Sequence, residues 1–153
     1  MNFEEYVNTL KRKIDRQNKE VLFVCIGNSK ILWDSIGPQV GSFLERRIDT
    51  KYVLGDMERN VCSKWDLMLM NPKMKNKFVV AIDTAMTETS LGGEIFVNSK
   101  PIMMGLGVNQ NKGIVGDVSI KVGISDLKCI DRRFVREMVE FVGEGICETK
   151  IHR

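Results

Sequence analysis

Val21-Leu22-Phe23-Val24-Cys25-Ile26, closed by Gly27-Asn28, is apolar at every position and ends in turn residues. A strand with one face in water alternates, so a run that is apolar on both faces suits a central strand covered by helices on both sides. Phe78-Val79-Val80-Ala81-Ile82 repeats the pattern and ends in Asp83. Around these runs the chain reads mostly as helix. Residues 2–18 place Phe3, Tyr6, Val7, Leu10 and Ile14 on one face. Pro38 suits the first turn of a helix burying Val40, Phe43, Leu44 and Ile48. A helix over 63–70 starts on Ser63 as N-cap and stops at Asn71-Pro72, and a last helix runs from Arg132 to Val142 with Gly143 and Gly145 near its end. Tyr52-Val53-Leu54 predicts a short strand. Ile95-Phe96-Val97 and Val118-Ser119-Ile120-Lys121-Val122 alternate or are short enough to be outer strands. The order α-β-α-β-α-β-β-β-α predicts a three-layer α/β/α sandwich with a mostly parallel central sheet, as a single domain spanning 1–153.

Composition excludes several classes. The 43% hydrophobic and 28% charged content is ordinary for a globular chain. Twenty-three Lys plus Arg against 20 Asp plus Glu leave a net charge of +3, too little to indicate nucleic acid without a clustered basic face. Lys11, Arg12, Lys13 and Arg16 share their segment with Glu4, Glu5 and Asp15, the pattern of a solvated helix face. No apolar run approaches the roughly 20 residues a bilayer needs. The N-terminal stretch lacks the apolar core of a signal peptide, so a cytoplasmic location is expected, with Cys25, Cys62, Cys129 and Cys147 as thiols. With no C-x-x-C pair and His152 as the only histidine, neither a metal nor a cofactor is expected. There is no phosphate-binding G-x-x-x-x-G-K-S/T loop and no serine-centred nucleophile motif.

In α/β sheets, ligands gather at the carboxyl ends of the central strands. Two segments leave the two apolar strands: Gly27 to Pro38, holding Asp34, and Asp83-Thr84-Ala85-Met86-Thr87. If the strands are neighbours, the two carboxyl groups meet across the crevice, share a proton, and can act as base and acid on a water molecule. Asp34 and Asp83 are therefore the candidate catalytic residues. The plainer alternatives are that Asp34 caps the following helix and that Asp83 holds a turn. Asn28 in the first loop, Gly105, Gly107 and Asn109 in the stretch Gly105-Leu106-Gly107-Val108-Asn109-Gln110, and Asp117 are candidate substrate contacts. That stretch lacks the third glycine of a dinucleotide fingerprint and can equally be a surface loop; Asp117 can be a turn former. Cys25 reads as a small core residue, and packing is the default for Trp33 and Trp65.

Several of these motifs together resemble the YyaC-type sporulation proteins of endospore-forming bacteria. They are Cys25-Ile26-Gly27, Asp34-Ser35-Ile36-Gly37-Pro38-Gln39-Val40-Gly41, Ala81-Ile82-Asp83-Thr84-Ala85, Gly105 to Asn109, and Val115-Gly116-Asp117-Val118-Ser119-Ile120. The similarity runs from about residue 20 to residue 142. The family is similar to the spore germination protease, an atypical aspartic peptidase of small acid-soluble spore proteins, whose two catalytic aspartates fall by resemblance on Asp34 and Asp83. Hydrogenase maturation endopeptidases are similar in fold; there, acidic residues at these two positions help bind nickel together with a histidine, for which His152 is a poor equivalent. Where the YyaC-type pattern has Thr-Asp-Arg-Ser-Thr-Gly, this chain has Asn28-Ser29-Lys30-Ile31-Leu32-Trp33, losing an acidic side chain and gaining bulk.

The resemblance implies a peptidase-like hydrolase acting on a protein or peptide substrate, such as a spore protein, in the cytoplasm of a spore-forming bacterium or its forespore. It leaves oligomerisation open and involves neither nucleic acid nor membrane. The alternatives are a non-catalytic binding protein of the same fold and, third, a metal-dependent maturation factor.

Overall fold

The apolar run at 21–26 becomes β1 (Val21–Cys25) in the computed structural model, which describes residues 1–87, 92–104, 113–127 and 130–150. It is preceded by α1 (Phe3–Asp15) and followed by α2 (Ile36–Glu45), β2 (Val53–Leu54), α3 (Lys64–Met74) and β3 (Phe78–Met86). Then come β4 (Ile95–Asn98), β5 (Ile102–Met103), β6 (Ile114–Val115), β7 (Val118–Ile124) and α4 (Arg132–Glu148). The main sheet has the order β2-β1-β3-β7-β4. Four of its strands are parallel, and β4 lies antiparallel on the edge. β5 and β6 pair as a separate two-stranded ribbon.

Strand alternation sorts the core into two layers, as expected for an α/β/α sandwich. Val21, Phe23 and Cys25 of β1 and Val80 and Ile82 of β3 pack with α1, α2 and α4. Leu22, Val24, Val79 and Ala81 face the other way, toward Leu67, Met70 and Met74 of α3 and toward Ile102 and Val115 of the ribbon. Both faces of β1 and β3 are covered, which is why these strands are apolar at every position. No helix among the described residues is long and apolar enough to cross a membrane.

Four expectations need correction. α1 stops at Asp15, short of residue 18. β7 is an interior strand between β3 and β4; its polar positions do not face water, since Ser119 is buried and Lys121 half-buried. α3 runs through Pro72 to Met74. In the last turn a proline costs one helical hydrogen bond, and Met70 and Met74 hold that turn by packing on the core. α4 likewise continues through Gly143 and Gly145, where neighbouring rings take the space of the missing side chains. A Cβ on Gly143 would stand 2.3 Å from Phe43, and one on Gly145 would stand 2.1 Å from Tyr6.

Candidate active site

Past β1, Ile26 donates its N–H to Ile82 O at 2.8 Å and bridges to Val61, so the chain is still tied to the sheet when it reaches Gly27. Gly27 has φ +148°, and a Cβ there would lie 2.1 Å from the Asp34 carbonyl oxygen. A Cβ on Gly37 would lie 1.9 Å from the Ile26 carbonyl oxygen. Only hydrogen fits at either place, and that lets the loop fold back over the end of β1. Ser29 N–H donates to Asn60 Oδ1 at 2.9 Å, and Lys30 N–H to Asn28 Oδ1 at 3.0 Å. A single 3₁₀ turn, Leu32–Asp34, then leads into α2.

Asp34 is thus carried on a short, internally braced loop above the sheet. The N-cap of α2 is Ser35, and Asp34 Oδ2 instead accepts the Asn28 N–H at 3.1 Å across the loop. Ser35 is buried; its hydroxyl donates to Leu32 O at 2.7 Å and accepts from Gln39 Nε2 at 3.0 Å, locking the turn beside Asp34.

Asp83 is not past its strand but inside it. β3 continues to Met86, and Asp83 stands opposite Lys121 of β7 in the parallel register. One position beyond the Cys25–Ile82 pair, it has outrun β1 and reaches the space over which the Asp34 loop folds. Its carboxyl is raised well above the ordinary value, first by burial and second by the negative charge of Asp34. The Thr84 N–H, donated to Asp83 Oδ1 at 2.8 Å, and the Lys121 charge pull the other way. Burial beside a second carboxylate outweighs them, so Asp83 resists ionisation.

The remaining candidates are dispersed. Asn28 lies in the Asp34 loop, where its N–H and its side-chain carbonyl both serve the loop itself. Asp117 sits at the amino end of β7, beside Val79 of β3 rather than beside Asp83. Its N–H donates to Val79 O at 2.7 Å and its Oδ2 accepts the Val79 N–H at 2.8 Å, a two-point clamp on β3. Gly105, Gly107 and Asn109 lie outside the described residues.

Lys121 and Thr84 are additions that sequence reasoning missed. Lys121 was visible as a cation inside an apolar strand. Thr84 Oγ1 is buried with no hydrogen-bond partner among the described residues, directly after Asp83. Cys25 is a core thiol pushed up by burial, with nucleophilic reactivity correspondingly suppressed. Among the described residues no three His, Cys, Asp or Glu side chains group to hold a metal, and His152 lies outside them.

Two solved structures share the fold. A [NiFe] hydrogenase maturation protease HycI from Thermococcus kodakarensis superposes with a TM-score of 0.64 over 92% of this chain and 97% of its own, at 19% identity. The hydrogenase maturating endopeptidase HybD from E. coli gives 0.50 over 83% and 89%, at 16% identity. In sequence, the uncharacterized protein YyaC of Bacillus subtilis is 30% identical over 144 residues, covering 86% of this chain and 70% of its own length. Residues 1–141 match the family described as "Protein of unknown function (DUF1256)", and the chain belongs to that family.

Proposed function

We propose that the chain is a peptidase-like hydrolase of spore formation or germination, in which Asp34 and Asp83 together activate water against a peptide bond of a protein substrate. The observation that carries this reading is the Asp83 carboxyl, held toward its protonated form by burial and by the Asp34 charge. An acid kept protonated beside a carboxylate is what acid–base hydrolysis requires. In the proposed step, Asp34 removes a proton from water while the water oxygen bonds to the substrate carbonyl carbon. Asp83 donates its proton to the carbonyl oxygen. When the C–N bond breaks, the leaving nitrogen takes the proton held by Asp34 and the carbonyl oxygen returns its proton to Asp83. Lys121 stands beside Asp83 in the strand register and limits how far its acidity is suppressed. The fold shared with two hydrogenase maturation proteases agrees with this reading at the level of architecture.

The test incubates extracts of sporulating cells with wild type, Asp34→Asn and Asp83→Asn, followed by mass spectrometry of newly formed termini. Cleavages made by wild type and lost in both variants are expected. Equal cleavage by all three proteins rejects the pair.

A second reading, binding without cleavage, draws on the exposed Ile31 and Leu32 in the loop carrying Asp34. It predicts no new termini at any pH, together with a protein partner lost when Ile31 and Leu32 are changed to serine.

A further inference from the structure

α3 is apolar on two sides. Leu67, Met70 and Met74 pack inward on the core. On the outer side Trp65 is 71% exposed, Met68 65% and Leu69 74%, and Pro72 completes an i, i+3, i+4, i+7 stripe. Trp65, expected to pack, therefore stands in water. The β5–β6 ribbon packs beside α3 at Leu67, on the inward side of the helix. A Cβ on Gly113 would lie 2.8 Å from Leu67 Cδ1, so the ribbon abuts α3, and its cross-strand partners Met103 and Ile114 are both exposed. Contiguous exposed side chains of this size mark interaction surfaces.

The charges around the stripe specify what covers it. Lys64, Lys73 and Lys75 are exposed at the ends of α3. The one carboxylate of the helix, Asp66, accepts through Oδ2 from Cys62 N–H and Ser63 Oγ, each at 2.9 Å, at its amino end. The described part of the ribbon carries no charge. Over residues 64–75 three lysines against one aspartate leave the helix positively charged. A second copy docked by the same stripe about a two-fold axis between Met68 and Leu69 would set Lys64 against Lys73 of the other copy, which is repulsive.

We propose that this surface docks a partner protein through an amphipathic helix of that partner, with apolar residues at helical spacing and acidic residues at its flanks. The proposal stands independently of hydrolysis at Asp34 and Asp83, and Asp83→Asn is expected to dock as wild type does.

Trp65 is the reporter. In a Trp33→Phe background it is the only tryptophan, and docking moves its emission to the blue. Two synthetic helical peptides of about four turns are titrated, with the same leucine stripe and either glutamate or lysine flanks. The expected result is a blue shift with the glutamate peptide, binding at least about tenfold tighter than the lysine peptide, and a difference that shrinks as salt is raised. Leu69→Lys, at an exposed position that does not threaten folding, abolishes the shift while circular dichroism and melting stay as in the parent. Three results overturn the proposal: no shift with either peptide, equal affinity for both, or a shift that follows the protein's own concentration together with a dimer in sedimentation.

Discussion

Replacing Asp83 by asparagine keeps the shape of the side chain and removes its ionisation, which turns the electrostatics of the site into a stability measurement. A carboxyl whose folded pKa is raised binds a proton in the folded state at pH values where the unfolded chain has released it. Folding therefore takes up a proton in the window between the ordinary aspartate value and the raised one, and wild-type stability falls as pH rises through that window. The raised value comes from burial first and Asp34 second. One proton corresponds to a slope of about 1.4 kcal/mol per pH unit. For a chain of this length that is roughly 3–6 °C in Tm per unit. The assay is urea unfolding of wild type and Asp83→Asn at intervals from about pH 4 to about pH 8. Glu45, pushed up to about 7 by burial and by its hydrogen bond to Asp56, titrates in the same range but is present in both proteins and cancels in the difference. The variant should gain on wild type steadily with pH, then level off. With Asp34→Asn in both backgrounds, the levelling should begin at lower pH, because one of the two forces raising Asp83 is gone. A difference that stays flat over the whole range means Asp83 ionises like a surface carboxylate, and the proton-holding pair is refuted.

Asp117→Ala leaves the Val79 N–H without its side-chain acceptor and should cost about 1–3 kcal/mol in urea unfolding, with no loss of any cleavage activity. Lost cleavage at unchanged stability would instead make Asp117 a substrate contact. Gly37→Ala drives a methyl group into the Ile26 carbonyl, 1.9 Å away, and should cost about 1–3 kcal/mol while displacing the Asp34 loop, read as amide shift changes at Asn28 and Asp34. Ser63→Ala removes the acceptor for the Asp66 N–H at the start of α3 and should cost about 1 kcal/mol by chemical denaturation. An aromatic disulfide reagent should label half-buried Cys62 in the native protein and reach Cys25 only on unfolding; rapid native labelling of Cys25 would contradict its burial.

The parts legible in the sequence were those where one physical demand dominates. β1 and β3 lie between two helical layers, so every position is apolar and the pattern has one reading. α1 and the start of α3 carry periodicity or a capping serine, and both follow the reading closely at their amino ends. β7 was misread as an outer strand because Ser119 and Lys121 interrupt its apolar run, and alternation ordinarily means that one face meets water. Here the alternate face meets the interior and the side of Asp83. Asp83 looked like a strand terminator because a carboxyl inside a central strand is costly. The sequence does not show that Lys121 to Ile124 of β7 lie beside Asp83 to Met86 and extend the pairing past it. The role of Asn28 was hidden for a related reason: its bonds to Asp34 and Lys30 exist only once the loop has folded back.

Three aspartates near the sheet all meet backbone N–H groups, and the Asp83 carboxyl is raised well above the ordinary value. Asp117 exchanges two hydrogen bonds with Val79 and is exposed. Asp34 receives the Asn28 N–H on the loop that follows β1. Asp83 has the Thr84 N–H and Lys121, and burial together with Asp34 still overrides both. An asparagine would fit the same strand position without an ionisation cost, so the carboxyl there works against stability at neutral pH. Binding without cleavage requires no such group, because apolar residues such as Ile31 and Leu32 supply contact area without it. Acid–base hydrolysis requires a proton held in place at a pH where an ordinary aspartate has lost it. A carboxyl held protonated at a cost to local stability is what a catalytic demand leaves behind, and this weighs for the hydrolase over the pure binder.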